Sequence, residues 1–174
     1  KVPGIAKFVD GALDLTQVII PDTSWADNYD SEDEFHITNE AEFYGFTKLV
    51  SQGKSFDKKI VYLDEDIELN KVETETETKE EILAAWKDGS KTPDNPWMPI
   101  GSGTAPFRGT FDGQMHEISG LYFSIDGQNT GMFGYVLDAN IKNFELKDSV
   151  FINCTGTQNA FLGSIVGGGR GELA

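Results

Sequence analysis

The chain has 174 residues, 39% of them hydrophobic, enough to bury one sizeable core without requiring a second domain. Its 14 basic residues face 29 acidic ones, a formal net charge of −15. That charge opposes nucleic acid and anionic lipid as partners and leaves cations, basic proteins and neutral glycans. No run approaches the roughly 18 apolar residues of a membrane span, and no signal segment opens the chain at Lys1, which reads as a mature or cloning boundary.

In chain order, residues 1–35 form a lead-in to a single domain over 36–174. Residues 1–24 carry apolar clusters at Phe8-Val9 and Val18-Ile19-Ile20 between Pro3 and Pro21. These match neither the helical nor the strand period and stay unassigned, with an edge strand as the alternative. Residues 22–34, DTSWADNYDSEDE, set acidic side chains around Trp25 and Tyr29 and read as a surface loop. Asp27, Asp30 and Asp33 are oxygen donors of the kind calcium takes, but their spacing lacks the glycine and terminal glutamate of an EF-hand loop. The expectation is a solvated loop and no metal.

Asn39 followed by Glu42 makes a capping-box-like start, Phe43, Phe46 and Val50 fall at helical spacing, and Gly53 supplies a stop. An amphipathic helix is expected over 40–51, with Gly45 as its discordant residue. Ile60, Tyr62 or Leu63, Ile67 and Leu69 then mark two short strands around a bend at Asp64-Glu65-Asp66. Residues 70–94 read as an insertion: threonines alternate with glutamates from Glu73 to Thr78, then Thr78 and Glu81 open a short helix carrying Ile82, Leu83 and Trp86 before Gly89.

From Phe107 onward the pattern is one of strands. Phe107, Gly109 and Phe111 precede an Asp112-Gly113 turn, and Ile118-Ser119-Gly120-Leu121-Tyr122-Phe123-Ser124 follows. The same order of apolar and polar residues returns 23 positions on, from Ile118 to Ile141, as Ile141-Lys142-Asn143-Phe144-Glu145-Leu146-Lys147. Gly131-Met132-Phe133-Gly134 likewise recurs as Ser164-Ile165-Val166-Gly167, 33 positions on. Units of this length stack because none can bury its apolar face alone. The expected fold is all-β, a right-handed parallel β-helix (solenoid) with the 40–51 helix as N-terminal cap and a short helical insertion over 70–94. Ile118, Leu121 and Phe123 are expected inside, beside Ile141, Phe144 and Leu146. Ser119, Tyr122, Lys142, Glu145 and Lys147 are expected outside.

The run Asn95-Pro96-Trp97-Met98-Pro99-Ile100-Gly101, then Pro106 to Gly113, His116 to Leu121 and Gly131 to Gly134, resembles that of bacterial surface proteins carrying GLUG-type repeats. The segment from Phe35 through Asp64-Glu65-Asp66-Ile67-Glu68-Leu69 is similar to their lead-in, so the resemblance covers about residues 35–170. It implies a right-handed parallel β-helix in a secreted or wall-attached bacterial protein. Such modules occur in adhesin-like proteins and beside the protease domain of some immunoglobulin A1 proteases. It implies no chemistry.

The residues themselves offer little chemistry either. His116-Glu117 lacks the second histidine of a zinc-protease helix, since position 120 is Gly120, and His36 is remote in sequence. Cys154 is alone, which excludes an intrachain disulfide, and the Asn153-Cys154-Thr155 sequon carries no weight in a bacterial protein. Carbohydrate cleavage needs two carboxyls about 5–9 Å apart, for which Asp64 and Asp66 are available, but Arg108 and Arg170 are the only arginines. No catalytic residue and no cofactor are assigned. Trp25, Tyr29, Trp86 and Tyr122 are candidates for an exposed aromatic platform, with Arg108 as a surface contact.

Three functional readings follow. The first is a non-catalytic, adhesin-like surface module binding a glycan or a host surface protein; the second is a carbohydrate-active enzyme, a polysaccharide lyase or glycoside hydrolase; the third is a ligand-free stalk. Leu162 to Gly171 looks like a coil just begun, completed by more chain or by a second copy in a closed dimer.

Overall fold

In a computed structural model of the chain, described at residues 7–9, 12–14, 18–124, 129–152 and 161–170, β1 (Lys7–Val9) pairs antiparallel with β2 (Ala12–Asp14). A 3-10 turn at Ser24–Ala26 buries Ala26 and lays Trp25 and Tyr29 against the core. After β3 (Glu34–Ile37) comes α1 (Glu40–Ser51), where the sequence predicts a helix. Asn39 starts it by accepting from the Glu42 amide at 3.0 Å, and the Glu42 carboxylate accepts in return from the Thr38 amide at 2.7 Å. Backbone donors that the first turn leaves unpaired are thereby satisfied.

The rest of the described chain is β4 (Ile60–Leu63), β5 (Ile67–Glu68), α2 (Lys79–Asp88), β6 (Thr110–Ser119), β7 (Tyr122–Phe123), β8 (Asn129–Thr130), β9 (Phe133–Leu137), β10 (Asn140–Lys147), β11 (Val150–Phe151), β12 (Phe161–Leu162) and β13 (Val166–Arg170). A five-stranded parallel sheet runs in the order β10-β6-β4-β3, with β5 added along the second half of β6. Period-2 alternation sorts its two faces. Phe35, Val61, Phe111 and Ile141 lie in one register row toward the core, whereas His36, Tyr62, Asp112 and Lys142 form the next row, outward. Three further two-stranded parallel sheets pair β11 with β7, β12 with β8 and β13 with β9.

The expected all-β, right-handed parallel β-helix is therefore corrected. Among the described residues, two α-helices, one five-stranded parallel sheet and several small separate sheets make a mixed α and β fold and not a solenoid of repeated coils. The 23-residue repeat fails as a register: Phe144 lies beside His116 and Leu146 beside Ile118, while Leu121 accepts a hydrogen bond from the Val150 amide. Asp112-Gly113 is not a turn but part of β6, and the bend falls two residues later, where Gln114 and Met115 have φ of 48° and 70°. β10 bends with one left-handed residue, Asn143 (φ 59°), where β6 uses two, and the register shifts at that point. The 33-residue echo does match a pairing, Val166 beside Phe133.

Tyr122, expected outside, is 3% exposed because the Trp86 ring covers it, edge-on at 5.9 Å. Asn153, Cys154 and the last four residues lie outside the described part of the chain.

Aromatic rings supply the largest side chains of the core. Phe43 and Phe46 on α1, Phe56, Trp97, Phe107, Phe111 and Phe133 are all fully buried. The Trp97 indole N–H meets the need of a buried donor by bonding the Met132 carbonyl at 3.0 Å. Val72, Ile82, Trp86, Tyr122 and Val150 make a second, smaller cluster under α2.

Candidate functional site

The residues between β5 and β6 build a cleft of about 710 Å³, a size ordinary for a small-ligand site. Thr78 and Glu81 form a full capping box at the start of α2, and Gly89, left-handed at φ 77°, turns the chain back along the helix. One wall is α2 with the following loop to Asn95, and the other is the end of β5 through Lys71.

Asn70, 7% exposed, holds the walls together. Its amide NH₂ donates to the carbonyls of Asn95 (2.8 Å) and Gly120 (2.9 Å), and its oxygen accepts from the Asn95 amide at 3.0 Å. Asn95 in turn accepts from the Ile19 amide at 2.8 Å, and its carbonyl takes the Tyr44 hydroxyl at 2.7 Å. Burial pushes the Tyr44 phenol above its ordinary range, so it remains a donor. A network of buried and partly buried hydrogen bonds thus presets the cleft before any ligand arrives.

Carboxylates of Glu40, Glu68, Glu77 and Asp94 surround this cleft against the ammonium groups of Lys71 and Lys91. Lys91 is ion-paired with Glu77. Lys79 bridges to Asp148 at 2.7 Å and fastens α2 to the segment after β10.

A second polar cluster decorates the sheet at the Asp64-Glu65-Asp66 corner. His36 Nδ1 lies 2.8 Å from Asp64, its ring stacked on Tyr62 at 5.2 Å, and Gln114 donates to the other Asp64 oxygen at 2.5 Å. His116 Nδ1 lies 2.9 Å from Asp66, which also accepts from the Glu117 amide at 2.9 Å. The two histidines, remote in sequence, are both paired at one corner. The period-2 spacings Asp64 to Asp66 and Gln114 to His116 were the available signal, but only if β4, β5 and β6 were known to be neighbours.

Hydrogen bonds from the Glu117 amide and the His116 ring hold the Asp66 carboxyl below its ordinary range. For Asp112, burial pushes the carboxyl upward but is outweighed by hydrogen bonds from Asn143, the Gln114 amide and Lys142, so it too stays low. A carboxylate with a depressed folded pKa stabilises the fold above its unfolded value, about 3.9, and loses that contribution as pH falls through the folded one. The urea midpoint of the wild type will therefore fall between pH 5 and about pH 2. Asp66→Asn, which keeps an acceptor oxygen, will show a smaller fall over the same interval. Equal falls in both proteins would rule out Asp66 as a source of acid sensitivity.

The aromatic candidates do not form a platform. Trp86 and Tyr122 are buried against each other, and of the two only Trp86 lines the cleft. Trp25 stacks on Phe56 at 5.8 Å and donates its indole N–H to the Asp22 carbonyl. The Tyr29 hydroxyl accepts from the Phe56 amide at 2.9 Å, and Lys54 Nζ sits 4.2 Å from the ring centroid. Arg108 is half-buried between Asp57 and Asp138, each at 3.9 Å.

Asp27, Asp30 and Asp33 are exposed, and Asp33 pairs with Lys59 at 3.3 Å. Among the described residues no three His, Cys, Asp or Glu side chains converge to hold a metal ion, and no helix is long and apolar enough to cross a membrane. No protein-family model, no curated protein and no solved structure matches the chain.

Proposed function

We propose that the chain is a non-catalytic recognition module on the outside of a bacterial cell, and that its ligand is a neutral glycan held in the cleft beside α2. The preset cleft carries this reading: Asn70 and Asn95 lock its walls, and Thr74, Thr92 and the carboxylates around it offer sugar hydroxyls both donors and acceptors. Its acidic surroundings and the net charge of −15 disfavour acidic polysaccharides. The similarity to surface proteins with GLUG-type repeats and the near-absence of cysteine support the location. Beside the glycan, a second copy of the chain is a partner through the outer edge of β10, the last strand of the main sheet among the described residues.

A glycan array with a mucin panel tests the ligand. Retention of a neutral glycan is expected, and Thr92→Trp, which fills the cleft from an exposed position, should weaken it at least about tenfold. Retention of a glycan unchanged by Thr92→Trp would move the site elsewhere. Release of reducing ends or unsaturated products, abolished by changing one carboxylate, would replace the module with a carbohydrate-active enzyme. Retention of a host surface protein and of no glycan would replace the ligand.

A further inference from the structure

We infer that β10 is self-complementary, so that a second copy of the chain pairs along its outer edge antiparallel to it, about a two-fold axis through the bend at Asn143. The inference rests on the self-association proposed above and supplies its register. Among the described residues no strand lies beyond β10 in the sheet, and an edge strand leaves half of its backbone N–H and C=O groups unpaired.

The bend is what makes the two halves match. Asn143 is left-handed (φ 59°) and resets the alternation. Ile141, Phe144 and Leu146 all pack toward the core, partly buried, while Lys142 and Glu145 point outward, exposed. Ile141 and Leu146 are five positions apart and would face opposite sides of a regular strand. Reversing β10 about the point between Asn143 and Phe144 sets Ile141 opposite Leu146 of the second copy, apolar on apolar, and Lys142 opposite Glu145 of the second copy, cation on anion. Two-fold symmetry makes each pair twice.

The ion pairs within one chain leave room for this exchange. Glu145 shares Lys147 with Glu117, at 3.2 and 2.7 Å, so Lys142 of the second copy gives it a cation of its own. Asp112, the present partner of Lys142 at 3.1 Å, keeps the Asn143 amide at 3.0 Å and the Gln114 backbone N–H at 3.1 Å. A two-fold pairing consumes both β10 edges and closes, so it yields a dimer and not a fibre.

Sedimentation equilibrium on the full chain over a concentration series tests the register, with circular dichroism confirming that each variant folds. The wild type is expected to dimerise reversibly. K142E and E145K should each weaken dimerisation about tenfold or more, because two attractive cross-strand pairs become two repulsive ones. An equimolar mixture of the two variants should recover a heterodimer, in which both pairs are attractive again. A wild type that stays monomeric throughout would overturn self-association and register together. A dimer indifferent to both reversals, or a mixture that fails to recover, would overturn the register alone.

Discussion

Phe46→Ala will lower the unfolding free energy by about 3–5 kcal/mol, the loss expected for truncating a fully buried phenylalanine. The ring stands on the buried face of α1 with no exposed surface. It meets Trp25 at 5.9 Å, Phe56 at 5.3 Å, Phe107 at 5.3 Å, Phe111 at 6.1 Å and Phe133 at 6.3 Å. Those partners come from the lead-in turn, the loop after α1, and the strands and bridges of the following layers, so none can move into the void without leaving its own neighbours. Domains are stable by roughly 5–15 kcal/mol in total, and the variant is expected to melt about 10 °C or more below the wild type. The same truncation at Phe144, only partly buried at the end of the sheet, should cost less than half as much, because that site borders solvent. Equal losses at the two positions, read from urea unfolding, would show that α1 does not organise the core.

The second large effect is at Gly45 and runs against helix propensity. Propensity alone makes Gly→Ala within a helix favourable by about 1 kcal/mol. At Gly45, however, an added Cβ would lie 1.6 Å from the Asp22 carbonyl oxygen and 2.6 Å from its carbon. Asp22 is pinned there by its amide hydrogen bond to the Ala41 carbonyl at 2.8 Å. The lead-in backbone thus crosses α1 at the one position without a side chain, and Gly45→Ala must displace it. The expected net loss is about 3 kcal/mol, since the overpacking term exceeds the propensity gain. Trp25, which stacks on Phe56, should become more exposed and red-shift the tryptophan emission. A variant more stable than the wild type would show that the lead-in yields freely.

Gly45 also shows where reading the sequence stops. In the pattern it is a blemish that weakens the 40–51 helix; in three dimensions it is the residue that lets residues 18–26 dock. Trp86 and Tyr122 were read as exposed for a related reason. Alternation places Tyr122 on the outer face of β7, correctly in local terms, but α2 lies over that face and the two rings bury each other. The parallel β-helix failed on register. The similarity of residues 118–124 to 141–147 is one of local pattern, and pairing is decided by where each strand bends, at Gln114-Met115 and at Asn143.

By itself the sequence determined what depends on near neighbours: the starts of α1 and α2 at Asn39 and Thr78, their stops at Gly53 and Gly89, the in-and-out alternation of Ile141 to Lys147, and an acidity that disfavours polyanionic partners. Caps, stops and alternation involve residues a few positions apart, so their geometry follows from composition and spacing. Only the tertiary structure decided that His36 and His116 meet Asp64 and Asp66 at one corner, that Asn70 and Asn95 close a cleft between segments 25 residues apart, and that β10 is the outermost strand of the main sheet among the described residues. Those arrangements join residues whose separation along the chain carries no geometric information, and they exist only once the aromatic core has fixed which strands are neighbours.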